Sequence, residues 1–320
     1  MPELPEVETV RMGLSRFLPG KTIQAVDFDW DKSFPNAPAD VQAFAVGAKV
    51  LAVRRRAKVL LIDLSSEYTF VIHLKMTGQM VFVGKNLVDR SWKIEDGKRT
   101  SLSSLTSTFH LPSSADEVRF GAGHPNDSLV GELPDKSTRV IWTFTDGSRL
   151  FFNDFRKFGW VKLYPTPEVP NIDFMQKVGP EPLSDEFTSS ELASRLQKRK
   201  NTSVKAALLD QTVIAGVGNI YADESLWGAK IHPTTLVKNL SKAQIGKLFT
   251  ELQFVLNLAI EKGGSSDKNY VNAEGKKGSY LSFARVFRRE GQPCPRCGTT
   301  IIKTRVAGRG THTCPKCQRA

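Results

Sequence analysis

Residues 139–154 have the sequence RVIWTFTDGSRLFFND, and this stretch predicts a β-hairpin. Two segments rich in β-branched and aromatic residues flank Asp146-Gly147, a dipeptide typical of two-residue turns between antiparallel strands. Residues 58–64 (KVLLIDL) and 69–74 (TFVIHL) have the same composition. From these segments we predict that residues 1–165 are mainly antiparallel β-structure, arranged as a sandwich.

One helix precedes the predicted strands. Val7, Val10, Leu14 and Phe17 recur at helical spacing, and Pro19-Gly20 ends the pattern. The first half of the chain is therefore expected to be an N-terminal helix followed by a sandwich. With the helical second half described next, the fold class is α+β with several domains.

Composition divides the rest of the chain. Residues 85–137 are rich in Ser, Gly and Asp with weak periodicity, which indicates an inserted surface loop. The segment YPTPEVPN (164–171) contains three prolines, and we place a linker at residues 166–175. Helical periodicity follows over residues 176–286, and a cysteine-containing module occupies residues 287–320.

A strong positive charge limits the classes of partner. The chain has 45 Lys and Arg against 33 Asp and Glu, a formal net charge of +12. This balance indicates a polyanion, and because we identify no basic amphipathic helix for a lipid surface, we predict nucleic acid. No apolar run approaches the ~18 residues of a membrane span, and no signal peptide is recognisable. We therefore expect a cytoplasmic protein.

All four cysteines lie in the last 27 residues, as two Cys-X-X-Cys pairs separated by 16 residues. This spacing is typical of a tetrahedral zinc ribbon. The alternatives are two disulfides or a redox pair, but the lack of a secretory signal and of any other cysteine favours zinc. Four protein ligands leave no open position, so we predict one structural zinc ion. Its ligands are Cys294, Cys297, Cys314 and Cys317.

The same module is basic. From Arg285 to Ala320 the chain has nine Lys and Arg but one acidic residue, Glu290. Between the cysteine pairs, the segment RVAGRGT predicts a hairpin tip that presents Arg309. The backbone of a DNA duplex is the expected target, and a merely solvated charged face is the alternative.

A glycine-rich turn lies between two predicted helices, in the segment from Leu209 to Asp223. Gly216 and Gly218 permit close backbone approach, and Asn219 opens a helix whose free N–H groups favour an anion. We predict phosphate binding here, although glycines in a turn are also ordinary turn chemistry.

The N-terminus reads MPELPEVETV, with three acidic residues in its first eight positions. Removal of the methionine would leave Pro2 with a secondary amine, whose pKa near ~8 makes it a better nucleophile than lysine at neutral pH. Glu3 and the supporting acid Glu6 could supply protons for attack on a sugar C1′. The alternative is ordinary helix-start chemistry, in which Pro and acidic residues favour the first turn.

Blocks spread over the chain resemble the bacterial formamidopyrimidine-DNA glycosylases. They leave out only about residues 85–137, and they follow the family order. The blocks are MPELPEVET, RRRAKVLLIDL, HLKMTGQM, DFRKFG, GPEPLSD, LLDQTVIAGVGNIYADESLW, GGSSDKNYVNAEGKKG and CPRC with GRGTHTCPKCQ. The resemblance implies a β-sandwich domain, a helix–two-turn–helix DNA-binding domain and a zinc ribbon.

The resemblance also implies catalytic roles. Pro2 would attack C1′ of a damaged deoxynucleotide, release an oxidised purine such as 8-oxoguanine and leave a covalent imine. Glu3 would assist base departure and ring opening, and Lys58 would transfer protons at the damaged nucleotide. Arg309 would clamp phosphates and take part in elimination, so that β- and then δ-elimination cut the strand.

Further residues would hold the DNA. A flipped base leaves a gap in the stack, which Met76 would fill while Arg156 contacts the orphan base and Phe158 acts as a wedge. Lys200 and Asn219 would hold phosphates. For Met76 and Phe158, core packing is the alternative. Residues 263–278 match the loop that closes over the flipped base in the family.

The chain departs from the family at several positions. Residues 136–139 read KSTR where a lysine is usually followed by His-Asp-His, so one phosphate contact is either missing or supplied by Arg139. Lys75 replaces a common glycine beside Met76. The insertion at 85–137 could touch DNA or loop away from it.

We therefore predict a bifunctional DNA glycosylase and AP lyase for oxidised purines. Its partner would be double-stranded DNA with oxidised bases or abasic sites, bound by a monomer in the bacterial cytoplasm and nucleoid. One alternative is an endonuclease VIII-like enzyme for oxidised pyrimidines, which the ELPEVET N-terminus disfavours. Another is a non-catalytic damage-binding protein, which the presence of Pro2, Glu3 and Lys58 disfavours.

Overall fold

The computed structural model describes residues 2–28, 30–85, 117–124, 127–129, 131–265 and 280–319. Two antiparallel sheets in the first half of the chain face each other across one apolar core. The first sheet has the strand order β1-β7-β8-β5-β6 and the second the order β2-β3-β4-β9. The strands are β1 Ile23–Phe28, β2 Val50–Arg56, β3 Val59–Leu64, β4 Tyr68–His73, β5 Gly78–Lys85, β6 Glu117–Gly123, β7 Thr138–Phe144, β8 Arg149–Asp154 and β9 Trp160–Pro165.

The predicted hairpin is formed by β7 and β8, whose register pairs Val140 with Phe152 and Trp142 with Leu150. The connection spans residues 145–148 instead of the two residues that the sequence predicted. Gly147 has φ +80, the left-handed conformation that follows a tight turn in longer hairpin connections. The antiparallel sandwich is confirmed, and the inner residues of the hairpin belong to its core.

The predicted loop at residues 85–137 is too wide, because β6 lies inside it and pairs with β5 along its whole length. Phe120 of β6 is buried and stacks on Phe17, with ring centroids 6.1 Å apart. In the β6 sequence EVRFGAG, Gly and Ala fill three of seven positions and only Val118 is β-branched, so the strand lacks the composition on which the prediction relied. Residues 86–116 of the predicted loop lie outside the described ranges.

The N-terminal helix, α1 (Leu4–Leu14), packs against β6 and β2. A shorter helix, α2 (Pro38–Phe44), lies between β1 and β2. The predicted linker is not extended. Residues 166–171 form a 3₁₀ turn and α3 (Asp173–Lys177) follows, and both contribute apolar side chains to a cluster on the outer face of the second sheet. The domain bounds stay a prediction.

Helices form the second half of the chain around a separate apolar core. They are α4 Ser189–Gln197, α5 Val204–Leu209, α6 Asn219–Ala229, α7 Lys242–Glu261 and α8 Tyr280–Phe283. Side-chain oxygens of Thr188, Ser203 and Ser241 cap α4, α5 and α7 at their N-termini. At the end of α7, Gly264 has φ +89 and its N–H donates to the Ala259 oxygen over 2.7 Å, which ends the helix at the glycine pair.

The basic module contains the hairpin that the sequence predicted. Strands β10 (Ile302–Val306) and β11 (Arg309–Thr313) are joined by Ala307-Gly308, both with positive φ. Arg309 is exposed at the first position of β11. Among the described residues, no helix has the length and apolar character that crossing a membrane requires.

Candidate active site

The N-terminal turn is buried against the helical half of the molecule. Pro2, Glu3 and Leu4 are all buried, and the Leu4 N–H donates to the Gly216 oxygen over 3.0 Å. This turn therefore lies between the sandwich, to which α1 belongs, and the segment that precedes α6.

Gly216 and Gly218 lack side chains and so leave the space that the N-terminal turn occupies. A Cβ added to Gly216 would lie 2.6 Å from Cβ of Leu4, and one added to Gly218 would overlap the carboxyl group of Glu3. Gly216 also has φ +76. The sequence predicted that these glycines let a phosphate approach the backbone. In the structure it is the N-terminal turn that approaches them, and phosphate binding stays a prediction.

Glu3 has the environment of an acid–base group. Its side chain is fully buried, and Oε1 accepts a hydrogen bond from the Ile220 N–H over 3.2 Å, whereas Oε2 has no partner among the described residues. Burial raises the pKa of Glu3 to about 7, and the nearby Lys58 ammonium opposes that rise. A carboxyl group with this pKa can donate and accept a proton near neutral pH.

Lys58 lies in the turn between β2 and β3, and its Nζ donates to the Val217 oxygen over 3.0 Å. Burial lowers the pKa of Lys58, while Glu3 and Glu6 oppose this effect and Arg309 reinforces it. The structure thus brings three of the predicted catalytic side chains, Glu3, Lys58 and Arg309, within electrostatic reach of one another.

Glu181, which sequence reasoning missed, holds the turn that carries Lys58. Its Oε1 accepts hydrogen bonds from the Ala57 N–H over 2.6 Å and from Arg56 over 3.0 Å, and its Oε2 accepts one from Arg55 over 2.7 Å. Ala57 has φ +52, a conformation that a non-glycine residue keeps only when its surroundings hold it. The GPEPLSD block includes Glu181, but nothing in the block indicates its partner.

Glu6 is an acceptor on both carboxylate oxygens. Oε2 accepts from the Glu3 N–H over 2.8 Å, and Oε1 accepts from the Tyr221 hydroxyl over 2.6 Å. The N–H and Oγ of Ser265 also donate to Oε1, over 2.8 and 2.9 Å. Both oxygens of Glu6 are thus hydrogen-bond acceptors, and its role as a supporting acid stays a prediction.

A buried ion pair fixes the hairpin of the basic module on α6. Nζ of Lys205 lies 2.6 Å from Oδ1 of Asp223, and both side chains are fully buried. The same Nζ donates to the oxygen of Gly310 over 3.1 Å and to the Thr311 hydroxyl over 2.7 Å. These contacts hold the backbone next to Arg309. Neither Lys205 nor Asp223 was predicted, because single charged residues in a helix carry no signal of burial.

Asn219, predicted as a phosphate contact, donates its side-chain amide to the Gly310 oxygen over 3.0 Å. It therefore lies beside Arg309 at the N-terminus of α6. Lys200 lies in the exposed turn between α4 and α5, where its backbone oxygen accepts from the Lys238 N–H. Their phosphate contacts stay predictions.

Two loops that are hydrogen-bonded to each other carry the predicted gap-filling Met76, orphan-base contact Arg156 and wedge Phe158. The Thr77 hydroxyl donates to buried Asp154, and the Arg156 N–H donates to the Thr77 hydroxyl over 3.1 Å. Met76 is 39% exposed and Phe158 52%, so the packing alternative is wrong for both. The Arg156 guanidinium lies over the Phe158 ring at 5.0 Å.

Two departures from the family have structural explanations. Lys75 has φ +50, a left-handed backbone conformation that glycine adopts without strain. This conformation explains why glycine is common at the same position in the family. Arg139 is buried and donates to the backbone oxygens of Asp154 and Lys136. It is therefore not presented to solvent as a phosphate contact, and that alternative is wrong.

The four cysteines form a cluster that fits zinc. Their sulfur atoms all lie within 4.8 Å of one another, with Cys297 and Cys314 3.5 Å apart and Cys294 and Cys317 4.0 Å apart. A disulfide requires ~2.05 Å, whereas a tetrahedron with Zn–S bonds of ~2.3 Å has S–S edges of ~3.8 Å. The distances exclude the disulfide alternative and match four thiolate ligands of one ion.

Family models match this chain in three consecutive parts. The formamidopyrimidine-DNA glycosylase N-terminal domain matches residues 1–161, and the H2TH domain of the same family matches residues 178–270. A zinc finger found in FPG and IleRS matches residues 291–320. These matches define a class of protein in which a β-sandwich, a helical H2TH domain and a zinc-binding module follow one another.

Full-length relatives give the same result. The chain is 37% identical to a formamidopyrimidine-DNA glycosylase of Latilactobacillus sakei, over 99% of this chain and 98% of the relative. It is 39% identical to one of Bacillus licheniformis, over the full length of both. The chain belongs to the formamidopyrimidine-DNA glycosylase family. The predicted fold class and the zinc-binding module are thereby confirmed.

Solved structures also resemble this chain. A Lactococcus lactis FPG mutant in complex with DNA containing Fapy-dG has a TM-score of 0.79 and 30% identity, with both chains covered completely. The MutM (FPG) protein of Thermus thermophilus has a TM-score of 0.75 and 33% identity, over 99% of this chain and 98% of that one.

Proposed function

We propose that this protein is a DNA glycosylase and AP lyase that excises oxidised purines from double-stranded DNA. Family membership supports the activity, and related solved structures are complexes with DNA that contains Fapy-dG, an abasic site or carbocyclic 8-oxoguanine. The observation that carries the mechanism is the position of Pro2, buried beside Glu3, whose pKa is about 7.

The reaction begins at Pro2. Once Met1 is removed, the neutral secondary amine attacks C1′ of the damaged nucleotide, forming a C–N bond as the bond from C1′ to the base breaks. The leaving base and the opening sugar ring take up protons. Glu3 donates one of them, because half of its carboxyl groups are protonated near pH 7. The nitrogen of Pro2 loses its proton as the ring opens, and the product is a covalent iminium ion between Pro2 and C1′ of the sugar.

Lys58 and Arg309 act on the sugar and its phosphates. The lowered pKa of Lys58 leaves a larger fraction of its amine neutral at neutral pH, so that it can accept a proton during elimination. Exposed Arg309, braced through Gly310, holds the negatively charged phosphates in place while β- and δ-elimination break the two C–O bonds. Hydrolysis of the iminium ion then frees Pro2.

The DNA is held around this centre by the remaining site residues. Met76 and Phe158 enter the gap that the flipped base leaves, and Arg156 contacts the orphan base. Lys200 and Asn219 hold phosphates. Cys294, Cys297, Cys314 and Cys317 bind one structural zinc ion that keeps the Arg309 hairpin folded. We also assign the protein to the bacterial cytoplasm and nucleoid, in line with its bacterial relatives.

Borohydride trapping tests the mechanism. A duplex with one 8-oxoguanine or one abasic site should give a covalent protein–DNA adduct with the wild-type chain and none with Pro2→Gly. Pro19→Gly, which makes the same change in an exposed turn, is the control and should trap normally. An undiminished adduct with Pro2→Gly, or none with the wild type, would rule out the nucleophile. Greater release of thymine glycol than of 8-oxoguanine would instead favour the oxidised-pyrimidine alternative.

A further inference from the structure

Phe155 is the most exposed large apolar side chain that the structure describes, at 62%. It lies in the turn of residues 154–158, directly before the predicted orphan-base contact Arg156. A single exposed apolar residue is common on protein surfaces and needs no explanation by itself. What distinguishes Phe155 is the rigidity of its backbone and the cation beside it.

The backbone around Phe155 is held on both sides. Asp154, which is fully buried, accepts a hydrogen bond from the Gly159 N–H over 2.6 Å and another from the Thr77 hydroxyl. Its own N–H donates to the Ser137 oxygen over 2.7 Å. Phe155 therefore projects from a fixed turn, so little conformational entropy is lost when its ring is covered.

Lys136 is exposed, and its ammonium lies 6.0 Å from the centroid of the Phe155 ring. Buried Arg139 fixes the two residues relative to each other, because Nε donates to the Asp154 oxygen over 3.2 Å and Nη2 donates to the Lys136 oxygen. The sequence named Arg139 as the residue that could supply the phosphate contact missing from this chain. The exposed cation at this place is Lys136 instead.

We propose that Phe155 and Lys136 form an additional contact with the DNA strand that carries the orphan base. The inference rests on the proposed function, which places Arg156 against that base. The Phe155 ring packs on the neighbouring base or sugar of this strand, and the Lys136 ammonium pairs with a phosphate. An aromatic ring beside a cation is the combination with which proteins hold unstacked nucleotides and their backbone.

Binding to a duplex with an uncleavable tetrahydrofuran abasic analogue tests the aromatic contact. Phe155→Ala should raise Kd about tenfold, within the range for loss of one aromatic stacking contact. The control is Phe254→Ala, since Phe254 is 54% exposed on α7 with the Arg285 guanidinium over its ring at 5.5 Å. Equal Kd values for the two variants would overturn the proposal.

The salt dependence of binding tests the ionic contact. Lys136→Ala should reduce the slope of log Kd against log salt concentration by about one, as expected for loss of one phosphate contact. Lys247→Ala, an exposed lysine on α7, should leave the slope unchanged. An unchanged slope for Lys136→Ala would overturn the phosphate contact.

A fluorescent 2-aminopurine base, placed next to the orphan base, tests which DNA strand Phe155 contacts. Binding of the wild type should change its fluorescence, and Phe155→Ala should reduce that change. A reduction seen only when the probe is in the lesion strand would overturn the strand assignment. Borohydride trapping of the wild type is measured in parallel, so a failure of the proposed function is seen separately from a failure of this contact.

Discussion

The buried carboxyl group of Glu3 and the buried ammonium group of Lys58 stabilise each other's charged forms, although burial opposes both charges. Glu3 comes from the N-terminal turn and Lys58 from the turn between β2 and β3. The site therefore holds an acid with a raised pKa and an amine with a lowered pKa within electrostatic reach of each other, as catalysis near neutral pH requires.

Replacing Glu3 should separate base excision from strand cleavage. Glu3→Gln cannot donate a proton to the leaving base or to the opening sugar ring, so single-turnover release of 8-oxoguanine should fall at least ~100-fold. Cleavage at a preformed abasic site needs no base departure and should fall less. Glu186→Gln, an exposed change, serves as the control. Equal losses on both substrates would contradict this role.

The pH dependence of stability should also depend on Glu3. The folded protein keeps the Glu3 proton up to about pH 7, whereas a carboxyl in the unfolded chain loses it near 4.5. Stability should therefore fall as pH rises through this interval, by up to about 3 kcal/mol, and stay lower above it. In Glu3→Gln the Tm should fall less between pH 5 and pH 8. Parallel Tm profiles for the two proteins would contradict the raised pKa.

A methyl group at Gly218 should displace Glu3, because it would overlap the Glu3 carboxyl. Gly218→Ala should lose most excision activity while the zinc module still binds its ion. The control is Gly246→Ala on α7, where the added Cβ meets nothing within 4 Å. That change should raise stability by up to ~1 kcal/mol through helix propensity. Full excision activity of Gly218→Ala would contradict this prediction, because it would show that the Glu3 carboxyl group can work from another position.

Loss of Glu181 should slow catalysis without weakening DNA binding. Glu181→Ala removes the acceptor of three hydrogen bonds, two from Arg55 and Arg56 at the end of β2 and one from Ala57 in the turn that carries Lys58. We expect single-turnover excision to fall about tenfold, as misplaced catalytic groups cost that much or more. Kd for an uncleavable abasic duplex should change less than twofold. The control is Glu186→Ala, which changes an exposed glutamate five residues further along the chain. A loss of DNA binding in Glu181→Ala as large as its loss of activity would indicate general unfolding instead.

Removal of zinc should abolish tight DNA binding. A chelator or Cys314→Ser removes the ion that folds the hairpin around Arg309, and a small zinc module does not stay folded without its metal. Binding is followed by fluorescence anisotropy, with zinc content measured on the same sample. Tight binding by a verified zinc-free sample would show that Lys205 and Asp223 alone hold the hairpin.

Local patterns allowed much of this fold to be predicted. The β7–β8 hairpin and the cysteine cluster each depend on residues close together in the chain. Glu181 could not be found in this way, because its partner Ala57 lies 124 residues away. Lys205 and Asp223 were missed for the same reason, since they contact Gly310 and His312 across long separations. Strand β6 was missed because only one of its seven residues, Val118, is β-branched.

The contact between the N-terminal turn and residues 216–218 has a consequence for synthesis of the protein on the ribosome. Leu4 rests on Gly216, so the first residues leave the ribosome roughly 10–40 s before their binding site does, at the usual rate of translation. During this interval Pro2 stays open to the aminopeptidase that removes Met1. Once residues 216–218 emerge and the turn docks, Pro2 is buried against the helical half of the molecule, so we expect Met1 to be removed during translation.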